Sequence, residues 1–142
     1  MNVYGAAQEE NKAKFLTELA SLCSNSKEPY VVGGDFNFIR FTSEKNKDYG
    51  LSRYSNIFNS TIASQELIDL HMSGGRYTGS NYQTNPTLLK LDRFLVSKDS
   101  EDLFASVMVH KRPREVSDHN PLILSIKANQ PMKHFTFKFE LS

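Results

Sequence analysis

The sequence predicts an α/β chain in which helices cover β-sheets, a sandwich-like architecture. Helix-period apolar stripes are confined to its first half, and strand-period stretches fill the second. The clearest alternation is "LILSIKA", with Leu122, Leu124 and Ile126 on one face and Ser125 and Lys127 on the other. A length of 142 residues, 39% of them apolar, allows one domain with a real core.

Met1–Tyr4 reads as the tail of a strand ended by Gly5. From Gln8 to Cys23, the residues Phe15, Leu16, Leu19, Leu22 and Cys23 form an amphipathic helical stripe. Pro29 closes the connection to a short apolar strand, Tyr30–Gly33. Phe38–Gly50 mixes charge with aromatics and reads as a loop. A second helix over Ser52–Ser64 is expected to pack Tyr54, Ile57, Phe58 and Ile62 inward. Leu67–Met72 and Arg76–Ser80 flank Gly74-Gly75 as in a hairpin. Leu88–Ser97 reads as one longer strand, with Ser97 capping a short helix that runs through Phe104. Ala105–His110 is a further strand, "KRPREVSDHNP" an irregular basic loop, and Leu122 begins the alternating strand. Asn129–Ser142 reads as a tail that admits a strand at Phe135–Phe139.

Composition narrows the partners. The net charge of +1 gives no global basic signature, so a nucleic-acid partner would need local positive charge. The single cysteine, Cys23, excludes an internal disulfide framework and a cysteine-based zinc site; it reads as a packing residue. No apolar run approaches the roughly 18–20 residues that span a membrane, and the N-terminus lacks a signal-peptide layout. The expectation is a soluble, intracellular chain without a membrane partner, on which the Asn59-Ser60-Thr61 sequon is incidental.

Parity within "LLKLDRFLVS" raises the first chemical question. Asp92 shares a face with Phe94 and Val96, while Leu91 and Leu95 take the other. A carboxylate on an apolar face is costly without a partner, and the adjacent Arg93 points away. "SDHNP" at Ser117–Pro121 offers one, because a His119 that donates a ring nitrogen to Asp92 would satisfy both groups. The same stretch could equally be a turn. "GGDFN" runs an apolar strand into Asp35 and Asn37. These residues either end the strand in an Asx turn or, with Asp118, offer hard oxygens and a water-orienting amide to Mg²⁺. The Gly33-Gly34 pair is no phosphate loop, since the Lys and Ser/Thr of that motif are missing. Lys111, Arg112 and Arg114 form either a solvated loop or a backbone-phosphate contact.

In order, "GGDFN", "LDRFL" and "SDHNPL" resemble the second half of the endonuclease/exonuclease/phosphatase superfamily. "NVYG", "NPTLLKLDRFLVS" and "FTFKFE" resemble its plant LINE-type (non-LTR) retrotransposon endonucleases in particular. The resemblance covers nearly the whole chain. It implies a partial four-layer α/β sandwich over residues 1–128, with 129–142 a tail or linker toward a downstream domain. The early strands, which carry an Asn and a metal-binding Glu, are expected to precede Met1. It also implies Mg²⁺-dependent phosphodiester hydrolysis, with Mn²⁺ as a substitute metal, in the form of DNA nicking. Asp35 would activate or orient the water, and Asn37 would position it and contact the phosphate. Asp118 and Asp35 would face the metal. His119, held by Asp92, would stabilise phosphoryl charge, and Tyr4 would contact the scissile phosphate. Lys111, Arg112 and Arg114 would contact DNA. A downstream reverse transcriptase and a nuclear location follow from the same resemblance. Gly79 departs from it, standing where retrotransposon members usually carry tryptophan. The chain alone is expected to nick weakly or not at all. The alternatives are a non-enzymatic remnant and a phosphatase or phosphodiesterase acting on a small substrate.

Overall fold

The computed structural model describes residues 1–128 apart from Tyr49, Glu115 and Val116, so the readings of 129–142 as a tail and of Phe135–Phe139 as a strand lie outside the described residues. Two helices form where the apolar stripes require them. Helix α1 (Glu9–Ser24) carries Glu9 and Glu10 in its first turn, where they complement the helix dipole, and buries Leu16, Leu19 and Cys23. Helix α2 (Arg53–Ser64) starts at Ser52, whose hydroxyl accepts the Ser55 N–H at 3.2 Å. Its buried stripe is Tyr54, Phe58 and Ile62, completed by Ser55 and Thr61. Ile57 is 42% exposed and Leu22 of α1 is 37% exposed, so neither packs inward as the sequence suggested. Each sits one residue, about 100° of rotation, from a buried neighbour and falls on the flank of its stripe.

The nine described strands make two main sheets and a two-stranded ribbon. In the first sheet, β1 (Asn2–Tyr4) runs parallel to β2 (Val31–Asp35), β2 pairs with β7 (Asp92–Ser97), and β7 with β3 (Leu67–Asp69). One face puts Val3, Val32 and Leu95 against both helices, with Phe36, Phe38 and Phe58 stacked among them. The second sheet comprises β4 (Met72–Ser73), β8 (Phe104–Lys111) and β9 (Leu122–Ala128). The ribbon is β5 (Gly79–Ser80) with β6 (Leu88–Leu89). The other face of the first sheet looks toward the second, giving helix, sheet and sheet as successive layers.

Two glycines allow the β1–β2–β7 contact. A Cβ on Gly33 would collide with the Phe94 ring that lies over it, and one on Gly34 would collide with the Val3 carbonyl. Gly34 also has a φ of +140°, a backbone that side chains rarely adopt.

Three sequence readings change. Leu67–Met72 and Arg76–Ser80 are not a hairpin. β3 joins β7, β4 runs parallel to β8, and the chain turns at Gly74-Gly75 to deliver β5 to β6. Leu88–Ser97 is interrupted between Leu89 and Asp92, where the Leu91 and Asp92 N–H groups turn to the Thr78 hydroxyl while the Leu91 carbonyl keeps the β2 register by accepting the Phe36 N–H. The short helix after Ser97 is a 3₁₀ turn over Lys98–Asp102. Ser97 does not cap it by its hydroxyl; that oxygen accepts the Tyr30 N–H and meets Ser100 Oγ.

Beneath the helices lies one charge cluster. Arg93, 1% exposed, donates to both oxygens of Glu44 at 2.8 and 3.0 Å and to Asp69 Oδ2 at 2.8 Å. Arg40 adds a second bond to Asp69 Oδ2 at 3.0 Å. Removing one partner of such a buried pair costs about 3–5 kcal/mol, because the other charge stays buried.

Candidate active site

The site forms where the ends of β1, β2 and β7 meet the loop before β9. Register sets Tyr4 opposite Asp35, and Asp35 opposite Asp92. Paired residues project to the same side of a sheet, so the two carboxylates face one another across neighbouring strands. His119 lies over them. Its Nδ1 is 2.6 Å from Asp92 Oδ2, the partner that the parity of β7 called for. An ionised carboxylate can only accept, so Nδ1 carries the proton and Nε2 turns to the site, 3.7 Å from Asp35 Oδ2. One ligand atom from each of Asp35, Asp92 and His119 lies within 4.8 Å of the others.

Burial alone would lower the His119 pKa. The hydrogen bond and charge of Asp92, with the charges of Asp35 and Asp118, carry it above the ordinary imidazole value. Asp35 is raised by burial and by the neighbouring Asp92 carboxylate, against the Asn37 N–H that favours its charged form. Asp35, Asp92 and Asp118 thus act on a single imidazole. That excess of carboxylate suits a hard divalent cation held by Asp35 with water completing the shell. Asp118, expected beside Asp35 at a metal, lies outside the close group, with an exposed side chain and its charge reaching both Asp35 and His119.

Asn37 lies past the end of β2. The strand ends at Asp35, and Asn37 takes φ +57°, so the two side chains do not follow extended parity. The Asn37 N–H bonds Asp35 Oδ1 at 2.9 Å, an Asx turn, and its Nδ2 donates to the Gly5 carbonyl at 2.7 Å. The turn reading therefore holds at the same time as proximity to the site. The Tyr4 side chain is 65% exposed. Lys111 ends β8 beside Gly75, Arg112 bonds Pro121 and Asn120 through its backbone, and Arg114 stacks on the Tyr82 ring at 4.6 Å.

Two supporting residues were missed. Thr78 is fully buried, and its hydroxyl accepts the N–H groups of Leu91 at 3.0 Å and Asp92 at 3.1 Å. Its carbonyl accepts the Asn120 N–H at 2.7 Å, and Ser80 N–H donates to the Asp118 carbonyl at 3.2 Å. Tyr82 donates its phenol to the Ser117 carbonyl at 2.6 Å. A hydroxyl next to Tyr77 in a stretch read as strand was the only signal of Thr78, and nothing in the sequence tied it to Asp92. Gly79 sits against His119; a Cβ there would lie 3.6 Å from the ring, an ordinary contact.

The chain belongs to the Endonuclease/Exonuclease/phosphatase family, whose model matches residues 2–119. Three solved structures share the fold. The endonuclease domain of TRAS1, a telomere-specific non-LTR retrotransposon, is 15% identical with a TM-score of 0.67; the match covers 90% of this chain and 56% of that one. The 3′ phosphatase NExo from Neisseria, bound to product DNA hairpin, is 20% identical with a TM-score of 0.67, covering 83% and 54%. The 3′-5′ exonuclease NExo from Neisseria meningitidis is 22% identical with a TM-score of 0.69, covering 89% and 60%. The chain thus spans little more than half of each. No curated protein matches it in sequence. Among the described residues, no helix is long and apolar enough to cross a membrane.

Proposed function

We propose that the chain contributes the catalytic carboxylate–histidine half of a Mg²⁺-dependent endonuclease that nicks DNA for a LINE-type retrotransposon. The observation that carries this is the Asp35–His119–Asp92 cluster, with His119 Nε2 left facing the site. Family membership and the fold shared with a retrotransposon endonuclease domain support it. In this reading Asp35 orients the attacking water, Asn37 fixes the turn that aims Asp35, and Asp92 holds the His119 tautomer. The imidazolium then faces the phosphoryl oxygens, where charge develops in the transition state. A metal at Asp35, with Asp118 nearby, would supply Lewis-acid polarisation of the phosphate. Tyr4 contacts the scissile phosphate, and Lys111, Arg112 and Arg114 lie along the backbone of the duplex. The nucleus is the location that a genomic substrate requires, with a reverse transcriptase following residues 129–142 in the same polypeptide.

Nicking of supercoiled plasmid tests the reading. The expected result is slow, Mg²⁺-dependent nicking that EDTA abolishes. His119→Ala or Asp35→Asn should reduce it at least about 100-fold, the lower range for a lost electrostatic or acid–base group. Nicking equal in wild type and both variants would sink the proposal. The likeness to the 3′ phosphatase favours a second reading, removal of 3′-phosphate from DNA ends. A 3′-phosphorylated oligonucleotide in the same assay separates them: phosphate release without nicking selects the second.

A further inference from the structure

The stretch that carries His119 precedes β9 and is held from the side by one short segment, residues 78–82. The Thr78 carbonyl accepts the Asn120 N–H at 2.7 Å, and the Ser80 N–H donates to the Asp118 carbonyl at 3.2 Å. Between them Gly79 forms an antiparallel bridge with His119. At the far end the Tyr82 phenol donates to the Ser117 carbonyl at 2.6 Å. The same segment reaches the carboxylate that holds the imidazole. The Thr78 hydroxyl accepts the Leu91 and Asp92 N–H groups at 3.0 and 3.1 Å and donates to the Leu89 carbonyl at 3.5 Å. A hydroxyl offers one proton and two lone pairs, so every bonding capacity of this one is committed. Thr78 is also 0% exposed, which leaves its side chain one orientation.

Asp92 belongs to the first sheet and His119 to the stretch that enters the second, yet the two meet at 2.6 Å across 27 positions of sequence. Thr78 bonds to Asp92 through its side chain and to the residue after His119 through its carbonyl. One buried residue therefore spans the joint. We propose that Thr78 is a positioning residue, which sets the Asp92–His119 distance and through it the direction of His119 Nε2. A hydroxyl that only satisfied the break before β7 would leave the imidazole in place when removed; a hydroxyl that sets the span would not. The bond between an imidazole N–H and a carboxylate weakens steeply with distance and angle, and a misplacement of about 1 Å can cost about 100-fold in rate. The consequence for turnover rests on the proposed reading of His119, whereas the geometric assignment does not.

NMR of the full chain with ¹⁵N-labelled histidine, in EDTA and at one pH, reads the Nδ1–H of His119 directly. Its absence in His119→Asn assigns the resonance. In the wild-type protein this proton is expected downfield of the amides and slow to exchange with water, as a short bond to a carboxylate requires. Thr78→Val should abolish the resonance or speed its exchange at least about tenfold, while the amides of α1 show the chain folded. Thr78→Ser should restore it. Should Thr78→Val fail to fold, Tyr82→Phe carries the test. It removes one bond of an exposed side chain at the far end of the segment, and the same proton should again exchange faster. Plasmid nicking by the same samples should fall about tenfold or more in Thr78→Val, with the DNA concentration for half-maximal rate unchanged. Absence of the resonance from the wild-type protein, or an unchanged resonance in the folded variant, would overturn the inference whatever the nicking rate. Loss of the resonance in the variant of a chain that does not nick would uphold the positioning role and sink the proposed function alone.

Discussion

His119 governs the charge of the site, because its Nδ1–H is committed to Asp92 while its Nε2 titrates beside Asp35. Its pKa is raised on folding, so the stability it contributes is full below the unfolded value of about 6.5 and is lost as pH rises through the folded value. Asp35 is also raised. Its contribution is full below the unfolded carboxylate value and is lost as pH rises through its own folded value, in a more acidic window. In metal-free buffer the melting temperature should therefore fall in two steps as pH increases. His119→Asn should remove the upper step and move the lower one to higher pH, since the His119 charge no longer holds the Asp35 pKa down; an identical upper step in the variant would refute the assignment. The Asp92–His119 pair was legible in the sequence because strand parity left a carboxylate without a local partner. Arg93 was not. Its partners, Glu44 and Asp69, come from a segment read as a loop and from a strand read as half of a hairpin, and no local pattern joins them.

At the scale of elements, the site depends on a break between β6 and β7. At the break the Leu91 and Asp92 N–H groups both donate to the Thr78 hydroxyl, while the Leu91 carbonyl carries the β2–β7 register one residue further by accepting the Phe36 N–H. Alternation alone cannot reveal such a break, because both pieces keep the same apolar character. The helices were legible within a residue or two, since the apolar period of 3.6 residues marks both, whereas strand pairing between distant segments was not. Thr78 is the test of this element. Thr78→Val keeps the shape but leaves two buried N–H groups without an acceptor, so a loss of about 1–3 kcal/mol is expected in urea unfolding. Thr78→Ser, which restores the hydroxyl, should recover most of it. A Thr78→Val chain as stable as wild type would show that the break is held by other contacts.

Over the whole molecule, the core and the site occupy opposite faces of one sheet, so their demands can be separated. The helix-covered face buries Val32, Phe36, Phe58 and Leu95 and supplies the apolar stabilisation. The other face places two carboxylates in register, and burial with like charge raises the Asp35 pKa, which means that ionised Asp35 costs stability in the absence of metal. A cation bound to the folded chain alone would reverse that cost, by about 2.7 kcal/mol at a concentration of 100 Kd. Asp35→Asn keeps an oxygen to accept the Asn37 N–H while removing the charge. The variant should melt higher than wild type in EDTA and lose the rise that Mg²⁺ gives the wild-type protein. Thermal melts with Mg²⁺ against a monovalent salt of matched ionic strength separate site binding from general screening. If Mg²⁺ raises the melting temperature of Asp35→Asn as much as that of wild type, the cation is not held by Asp35, and the division between a stabilising face and a charged face fails with it.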